Sequence, residues 1–354
     1  KAGRDARIAA CERALKQGIS KPESHLDMSF VRREPDDLVV FAHRIPRFIQ
    51  ASEPSSTSAK IGAWVSGFHE HKPQKASIKP VDRADRPIRV AFHSRWWYHG
   101  GVERWISTLA EFLDPSVVEV SAVVIDEEPH AVSAPCSKKL LRAKDWDGSA
   151  DLIITWGGLL SDRMRSFGIP AVGVCHADPK NLWQQDATKE MEKCCNAIVG
   201  VTACAHKDFI YSGVDASRAV ARKPVEKPFK KTLLYMGRVS SEKRPDILPD
   251  VIDCLPDDWG VALVGINYGC IVREHPRVKV IGVSDDVGAW YDVADCVIIP
   301  SESEGFCYTM FEAWACRVPV VCGSWPVLRE IEAIAGEGLA EKVEIPGDPK
   351  DWAS

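Results

Sequence analysis

The 354-residue chain has no long apolar run, and no window approaches the roughly 18–20 apolar residues that a membrane-spanning helix needs. Its first residues, 1–18, carry charges throughout and lack the apolar centre of a secretory signal. These absences argue against a membrane-spanning or exported protein. They predict a soluble protein of the cytoplasm.

Paired cysteine motifs are also missing, because the twelve cysteines are scattered and form no CxxC pair. We therefore expect reduced thiols rather than a disulfide framework. Cys194 and Cys195 are adjacent, with Cys204 nearby, but adjacent cysteines lack the loop that lets two thiolates share one tetrahedral metal ion. We interpret them as buried structural thiols.

A strong positive charge is absent, since the formal net charge is −5. Non-specific nucleic-acid binding requires a concentrated positive surface, so it is disfavoured as the main activity. Residues 1–86 carry a mild basic excess, a short apolar run at 38–42 and a stretch rich in Ser, Pro and Lys. They lack a regular secondary-structure pattern, and we treat them as an N-terminal extension of unknown role.

The rest of the chain has the pattern of two domains. From Ile88 onward, short β-branched runs alternate with amphipathic stretches of helical length, as in parallel sheets covered by helices on both faces. The segment 222–231 has two prolines and five basic residues, which is linker composition. We predict an α/β protein with two doubly wound Rossmann-like domains, at 87–226 and 227–354, facing a central cleft.

The periodicity predicts the elements of each domain. In the first, the predicted strands are Ile88–His93, Val117–Ile125, Asp151–Thr155, Ala171–His176 and Ala197–Val201, and the helices are Val102–Leu113 and Ala203–Ser212. In the second, the strands are Thr232–Met236, Val261–Gly265, Val278–Ile281, Cys296–Ile299 and Val318–Val321, with helices near Asp246–Leu255, Val287–Val293 and Tyr308–Cys316.

The most informative stretch is 298–321, where an apolar strand ends in an acidic turn and is followed by a helix and another apolar strand. Ligands bind at the carboxyl ends of such strands. Glu304 in the turn and Glu312 in the helix direct two carboxylates toward one crevice, from different depths. Carboxylates suit sugar and ribose hydroxyls, because those groups donate hydrogen bonds.

Groups that suit phosphate lie beside these carboxylates. Gly305 lets the backbone approach a ligand closely, and the amides near Tyr308 and Thr309, at the start of the helix, form an anion site that a diphosphate fits. Arg238 and Lys243 follow the first strand of the second domain, where they would face one pyrophosphate.

Two weaker signals lie in the first domain. Gly100 and Gly101 come between a strand and a helix, where glycines permit close contact with phosphate, and the GxGxxG fingerprint of dehydrogenases is missing. His176 ends an apolar strand, where a structural and a functional role are about equally common. Its neighbours favour a hydrogen bond to a transferred sugar.

Taken together, GGVER, HADP, GRVSSEK and EGFCYTMFEAWACRVPVV occur in an order that resembles family 4 retaining glycosyltransferases of GT-B architecture, over roughly residues 88–350. The resemblance implies hexosyl-type transfer from a nucleotide-diphosphate sugar to an acceptor hydroxyl, with retention of anomeric configuration. It implies the following contacts: Glu304 with the donor sugar, Glu312 with the ribose, Arg238 and Lys243 with the diphosphate, Gly100 and Gly101 with its phosphate side, His176 near the sugar, and Gly305, Phe306, Tyr308 and Thr309 within the donor site.

The resemblance also implies that no metal and no cofactor are needed, because the departing phosphate helps to deprotonate the acceptor in a front-face displacement. A UDP-sugar is the favoured donor. The acceptor is a glycan, lipid, metabolite or modified nucleic-acid base, and the sequence does not choose among them. It does not indicate the oligomeric state either.

Three departures from the family pattern bear on the donor pocket. Cys307 and Arg317 stand where glycines are usual, and Trp325 lies in a turn that is expected to be rich in glycine. Relatives usually continue beyond the end of this chain into helices that return to the first domain, so we expect those helices to be missing here.

Other classes remain open at this point. A sugar-nucleotide epimerase or phosphorylase-like enzyme would use the same fold, and a non-catalytic nucleotide-sugar-binding protein would keep the site without turnover. A metal-dependent transferase would need an acidic metal motif, for which Asp145-Trp146-Asp147 is the one short candidate.

Overall fold

The computed structural model describes residues 38–39 and 86–353, apart from 130–132, 158–159, 177, 179–181, 337 and 345–346. Most of the predicted extension 1–86 therefore lies outside the described residues. Backbone contacts group the rest into an N-terminal unit, 86–212, and a C-terminal unit, 213–353, which includes the short strand β1 (Leu38–Val39). Each unit has its own sheet and its own core.

The N-terminal unit is a doubly wound parallel sheet. Its elements are β2 (Ile88–Ser94), α1 (Gly101–Phe112), β3 (Val118–Ile125), β4 (Leu140–Arg142), β5 (Leu152–Trp156), α2 (Asp162–Ser166), β6 (Ala171–Cys175), α3 (Leu182–Cys194) and β7 (Ala197–Gly200). The strand order is β4-β3-β2-β5-β6-β7, with parallel pairing throughout. The chain first adds strands on one side of β2 and then on the other, so the topological switch point lies between β2 and β5.

Side chains from β2 enter cores on both faces of this sheet. Val90 and Phe92 pack with Ile106 of α1 on one face, while Ala91 packs with Met164 of α2 on the other. Alternate residues of a strand point to opposite faces, so a strand covered on both faces is apolar at consecutive positions. That is why β2 is apolar at the three consecutive positions 90–92.

The C-terminal unit repeats this topology. Its remaining elements are β8 (Val214–Asp215), β9 (Lys231–Met236), α4 (Leu248–Asp253), β10 (Trp259–Val264), β11 (Val278–Gly282), α5 (Val287–Val293), β12 (Cys296–Ile299), α6 (Tyr308–Ala315), β13 (Val320–Gly323), α7 (Pro326–Ala335), β14 (Glu341–Val343) and α8 (Pro349–Ala353). The order is β11-β10-β9-β12-β13-β14, all parallel, and the switch point lies between β9 and β12. Separately, β1 pairs antiparallel with β8.

The segment predicted as a linker is held against the C-terminal unit. Asp286, the N-cap of α5, accepts the amides of Arg222 and Lys223 at 2.9 and 2.8 Å, as well as the Ala289 amide at 3.3 Å. One carboxylate therefore caps a helix and fixes the incoming chain. The two compact units divide before this segment, between residues 212 and 213.

The predicted doubly wound fold is confirmed, but one predicted helix is wrong. Residues 203–212 form turns that fold back on the end of β7, where Gly200 donates to Asp208 O at 2.8 Å and accepts from Ile210 at 2.9 Å. Contacts to a strand end thus replace the i→i+4 hydrogen bonds of a helix.

None of the helices in the described part of the chain combines the length and the apolar character that crossing a bilayer requires.

The expectation for the adjacent cysteines also needs correction, because Cys194 and Cys195 are both only partly buried. Cys194 ends α3 and Cys195 follows it, and both side chains pack against a buried cluster of the N-terminal unit. Full burial is thus not observed, and the structural role of the two thiols stays a prediction.

Arg317 occupies a backbone position that favours glycine. It follows α6 with φ 58°, in the left-handed region. The Val318 amide donates to Ala313 O at 2.9 Å and the Arg317 amide to Trp314 O at 2.9 Å, which are the two hydrogen bonds of a Schellman motif. The glycine expected from the family pattern is therefore explained by backbone geometry, and arginine is strained there.

We predict that Arg317→Gly is more stable than Arg317→Ala by about 1 kcal/mol, because alanine keeps the left-handed strain and glycine removes it. Urea unfolding of both variants measures the difference. The matched control is Arg329, exposed within α7, where the sign reverses and Ala exceeds Gly by about 1 kcal/mol. Equal stabilities of the two Arg317 variants would contradict the strain argument.

Candidate functional site

Two predicted site residues meet where the central strands of the C-terminal sheet end. The loop after β9 carries Lys243, and the loop after β12 carries Glu304. The Lys243 ammonium donates to Glu304 Oε1 at 2.7 Å, and the side chains are only 20% and 13% exposed. Because β9 and β12 flank the switch point, this ion pair lies where doubly wound sheets bind ligands.

Arg238 lies on the same loop as Lys243 and is more open to solvent. Its guanidinium is 3.2 Å from the Glu242 carboxylate. Burial raises the pKa of Glu242, but the Ser240 hydroxyl and the charge of Arg238 outweigh burial, so the pKa is lower than usual. The Glu242 carbonyl accepts the Glu302 amide at 2.9 Å, which joins the two loops a second time. Glu242 lies within the GRVSSEK motif, but the sequence analysis assigned it no role.

Two glycines allow the ends of β9 and β10 to touch. A Cβ on Gly265, whose φ is 151°, would lie 1.7 Å from the carbonyl oxygen of Gly237. The Gly237 amide in turn donates to Val264 O at 3.0 Å. Any larger residue at 265 would displace the backbone that leads into Arg238. This close approach therefore fixes the start of the cationic loop, which is the loop after β9 that carries Arg238 and Lys243.

The turn between β12 and α6 is built on a buried aromatic pair. Phe306 stacks on Phe311, with ring centroids 4.5 Å apart. Cys307, the N-cap of α6, has left-handed φ 63° and ψ 69°, which explains why glycine is usual there. Burial raises the pKa of the Cys307 thiol well above its usual value, so the thiol stays protonated. The cysteine is thus accommodated with a strained backbone.

The first turn of α6 is tied to the end of β9. The Thr309 hydroxyl donates to Met236 O at 3.0 Å. The predicted anion site consists of the amides of Tyr308 and Thr309, which belong to this first turn, where N–H groups have no partner within the helix. Gly305, directly after Glu304, is buried against the turn. The predicted anion site and the Lys243–Glu304 pair therefore lie at the same edge of the sheet.

Glu312 is placed differently from Glu304, because its side chain is only 1% exposed. The Tyr291 hydroxyl of α5 donates to Glu312 Oε2 at 3.0 Å, and Arg218 Nε lies 3.8 Å from Oε1. Both partners escaped prediction, since neither residue lies in a recognisable motif. A buried carboxylate needs such partners, and here they hold it beneath the helix start.

In the N-terminal unit, the predicted glycine pair begins α1. Gly100 is the N-cap, and a Cβ there would lie 2.6 Å from Glu103 Oε2. The buried Glu103 carboxylate also accepts the Tyr98 amide at 3.3 Å. Gly100 and Gly101 thus open a helix whose N-terminus faces the carboxylate of Glu103.

His176 follows β6 between two tryptophans. Its ring meets those of Trp105 and Trp156 edge-on, with centroids 4.7 and 6.1 Å apart. Nε2 is shielded from solvent and has no hydrogen-bond partner among the described residues. Burial lowers the pKa of His176 to about 3, so the imidazole is neutral at physiological pH and its Nε2 can serve a bound ligand.

A second histidine, which was not predicted, joins three strand ends of this sheet. His93 of β2 is buried, with Nδ1 2.8 Å from Thr155 Oγ1 and Nε2 3.1 Å from Asp126 Oδ2. Burial raises the pKa of Asp126, but the hydrogen bond from His93 outweighs it and the pKa stays below its usual value. This network fixes the ends of β2, β3 and β5 next to the switch point.

The acidic motif considered for a metal serves local structure. Trp146 is buried in the core of the N-terminal unit. Asp147 accepts the Ser149 amide at 2.9 Å within its own turn. Its carboxylate therefore stabilises a loop, as aspartates in turns commonly do.

The fold class follows from comparison with solved structures. A structure of Anabaena Alr3699/HepE in complex with UDP and glucose matches with a TM-score of 0.56, covering 75% of this chain and 88% of that one at 15% identity. WaaG, a glycosyltransferase involved in lipopolysaccharide biosynthesis, matches with a TM-score of 0.54 at 13% identity and the same coverage. The two parallel-sheet α/β units thus have the fold of GT-B glycosyltransferase structures.

The match to a family model lies in the C-terminal unit. Residues 230–354 match the family described as Glycosyl transferases group 1, and this range contains the Lys243–Glu304 pair. D-inositol 3-phosphate glycosyltransferase of Xylanimonas cellulosilytica is 31% identical over 149 residues, which is 37% of this chain. The match spans about a third of the length of that relative, 33%.

We predict that His176 makes the protein acid-sensitive. Unfolded histidine binds a proton below about pH 6.5, whereas His176 in the folded state stays neutral down to about pH 3, so stability falls as pH drops through this window. At pH 5 the loss is about 2 kcal/mol. Urea unfolding at pH 7 and pH 5 should show a drop about 2 kcal/mol smaller for His176→Gln than for wild type. Identical drops would show that His176 titrates normally.

Proposed function

We propose that this protein is a retaining glycosyltransferase that moves a hexosyl group from a nucleotide-diphosphate sugar to an acceptor hydroxyl without a metal ion. The observation that carries the proposal is the Lys243–Glu304 pair. It places a cation and a carboxylate together at the switch point of the unit that matches a glycosyltransferase family. The cation suits the negative charge of a diphosphate, and the carboxylate accepts hydrogen bonds from sugar hydroxyls.

Charge at the leaving group dominates the proposed mechanism. As the glycosidic bond breaks, negative charge accumulates on the diphosphate, and Lys243 and Arg238 stabilise it. The amides of Tyr308 and Thr309 add an uncharged anion site at the start of α6. The departing phosphate oxygen takes the proton of the acceptor hydroxyl on the same face of the sugar, which retains the anomeric configuration and requires no protein nucleophile.

The remaining residues position the donor. Glu304 accepts hydrogen bonds from donor-sugar hydroxyls once Lys243 turns to the diphosphate. Glu312 serves the ribose, held in place by Tyr291. Neutral His176 offers Nε2 to the transferred sugar. Gly100 and Gly101 are proposed to contact the phosphates of the donor. Gly305 and Phe306 shape the turn that holds Glu304.

A UDP-sugar is the proposed donor, supported by the structural neighbour that was solved with UDP and glucose. The acceptor carries a free hydroxyl and belongs to one of four classes: a glycan, a lipid, a small metabolite or a modified nucleic-acid base. The name of the inositol-phosphate relative is consistent with a polyol acceptor, although only part of that relative is matched.

The first test measures nucleotide release from UDP-, GDP- and ADP-sugars in the presence of EDTA. We expect one donor to stand out and its release to fall by roughly 100-fold in Glu304→Ala and Arg238→Ala, because each removes a charge that acts on the reacting groups. Arg273→Ala, at an exposed arginine paired with Asp250, is the matched control and should retain wild-type activity.

Other outcomes identify the competing classes. Tight donor binding without release or transfer to any acceptor would indicate a non-catalytic nucleotide-sugar-binding protein. Isomerisation of the donor sugar would indicate an epimerase. Release that requires Mn²⁺ would contradict metal independence, and inverted product configuration, read by NMR, would contradict retention.

A second prediction follows from the ion pair itself. In the free protein Glu304 competes with the diphosphate for Lys243, so Glu304→Gln should bind UDP about 10-fold more tightly while transferring sugar more slowly. Lys243→Met should weaken UDP binding. Isothermal titration calorimetry measures both. Weaker UDP binding by Glu304→Gln would show that the carboxylate and the diphosphate do not share Lys243.

A further inference from the structure

Two neighbouring thiols at the end of α3 lie outside the proposed donor site. Cys194 is the last residue of the helix and Cys195 follows it. Their Sγ atoms are 3.9 Å apart, and both residues are partly exposed. The two thiols are thus in contact and only partly buried, whereas the sequence predicted buried thiols.

The surroundings of the two sulfur atoms differ. Cys194 Sγ accepts the Leu160 amide at 3.5 Å and lies near Arg165, while its own S–H donates to Glu190 O at 3.5 Å and the Glu190 carboxylate opposes the effect of Arg165. The hydrogen bond from Cys195, together with these contacts, outweighs burial and lowers the pKa of Cys194 to about 6. The hydrogen bond to Cys194 and burial against Cys175 raise the pKa of Cys195. Cys194 is therefore the more acidic of the two thiols.

We propose that Cys194 and Cys195 form a peroxide-reactive dithiol, in which Cys194 is the attacking and Cys195 the resolving cysteine. The Cys194 thiolate attacks one oxygen of hydrogen peroxide, the O–O bond breaks, and hydroxide leaves as Cys194 becomes a sulfenic acid. The Cys195 sulfur then attacks the sulfenic sulfur. An S–S bond forms, the S–O bond breaks, and the proton of Cys195 leaves with the hydroxyl as water.

The product is easily reduced again. Adjacent Cα atoms lie about 3.8 Å apart, which is shorter than the usual separation across a disulfide. The ring is therefore strained, and strained disulfides are readily reduced by a dithiol. The last turn of α3 must also adjust, because the Cys195 amide donates to Met191 O at 2.7 Å. The cycle is thus a reversible modification of the end of α3.

Peptide mass spectrometry of the full-length protein tests the proposal. Cys204→Ser is used as the background, because Cys204 would share the tryptic peptide that begins after Lys193. After dilute hydrogen peroxide and blocking of free thiols, we expect the peptide with Cys194 and Cys195 to lose the mass of two hydrogen atoms. Dithiothreitol should restore both thiols.

Two variants separate the steps. In Cys195→Ser, dimedone should trap a sulfenic acid on Cys194, and in Cys194→Ser the peptide should stay unmodified at the same peroxide dose. Cys254, an exposed thiol on the C-terminal unit, is the internal control and should react more slowly than Cys194. Oxidation of Cys254 before Cys194, or sulfinic acid on Cys194 without any disulfide, would overturn the proposal.

Discussion

A partly buried salt bridge between Lys243 and Glu304 joins the loops that leave the two central strands of the C-terminal sheet. The other features of this edge follow from that contact. The Glu302 amide bonded to Glu242 O holds the loops in register, and the Thr309 hydroxyl bonded to Met236 O brings the start of α6 to the same place. A cation, a carboxylate and the first turn of α6 meet because parallel strands all end at one edge.

Much of this could be read from the chain before its structure. The strands β5, β6, β9 and β12 are largely apolar, and β2 and β3 contain apolar runs at 90–92 and 122–125. Such runs are distinctive in a sequence. The short outer strands β4 and β14 have three residues each and contribute too little pattern to be seen. The turns at 203–212 were mistaken for a helix because their hydrogen bonds go to the end of β7, a tertiary contact that no local propensity contains.

The site residues also divide into those that the sequence predicted and those that it did not. Lys243, Glu304 and Arg238 were predicted because strand ends collect ligand-binding groups, and their positions depend only on the order of elements. The partners of buried charges were not predicted, since Tyr291 reaches Glu312 and His93 reaches Asp126 across the packed interior. The departures at Cys307 and Arg317 became intelligible only when their left-handed backbone was known. Sequence shows which residue is unusual, while the dihedral angle shows why.

The contact between Gly265 and Gly237 also bears on how this loop could have changed during evolution. Because a single added carbon at 265 would collide with the neighbouring backbone, substitution there cannot be compensated by trimming a nearby side chain. The path of the cationic loop and the absence of a side chain at 265 are therefore inherited together. A lineage that loses this glycine must rebuild the whole turn, so sequence divergence here is confined to the side chains around the turn, while its backbone stays the same.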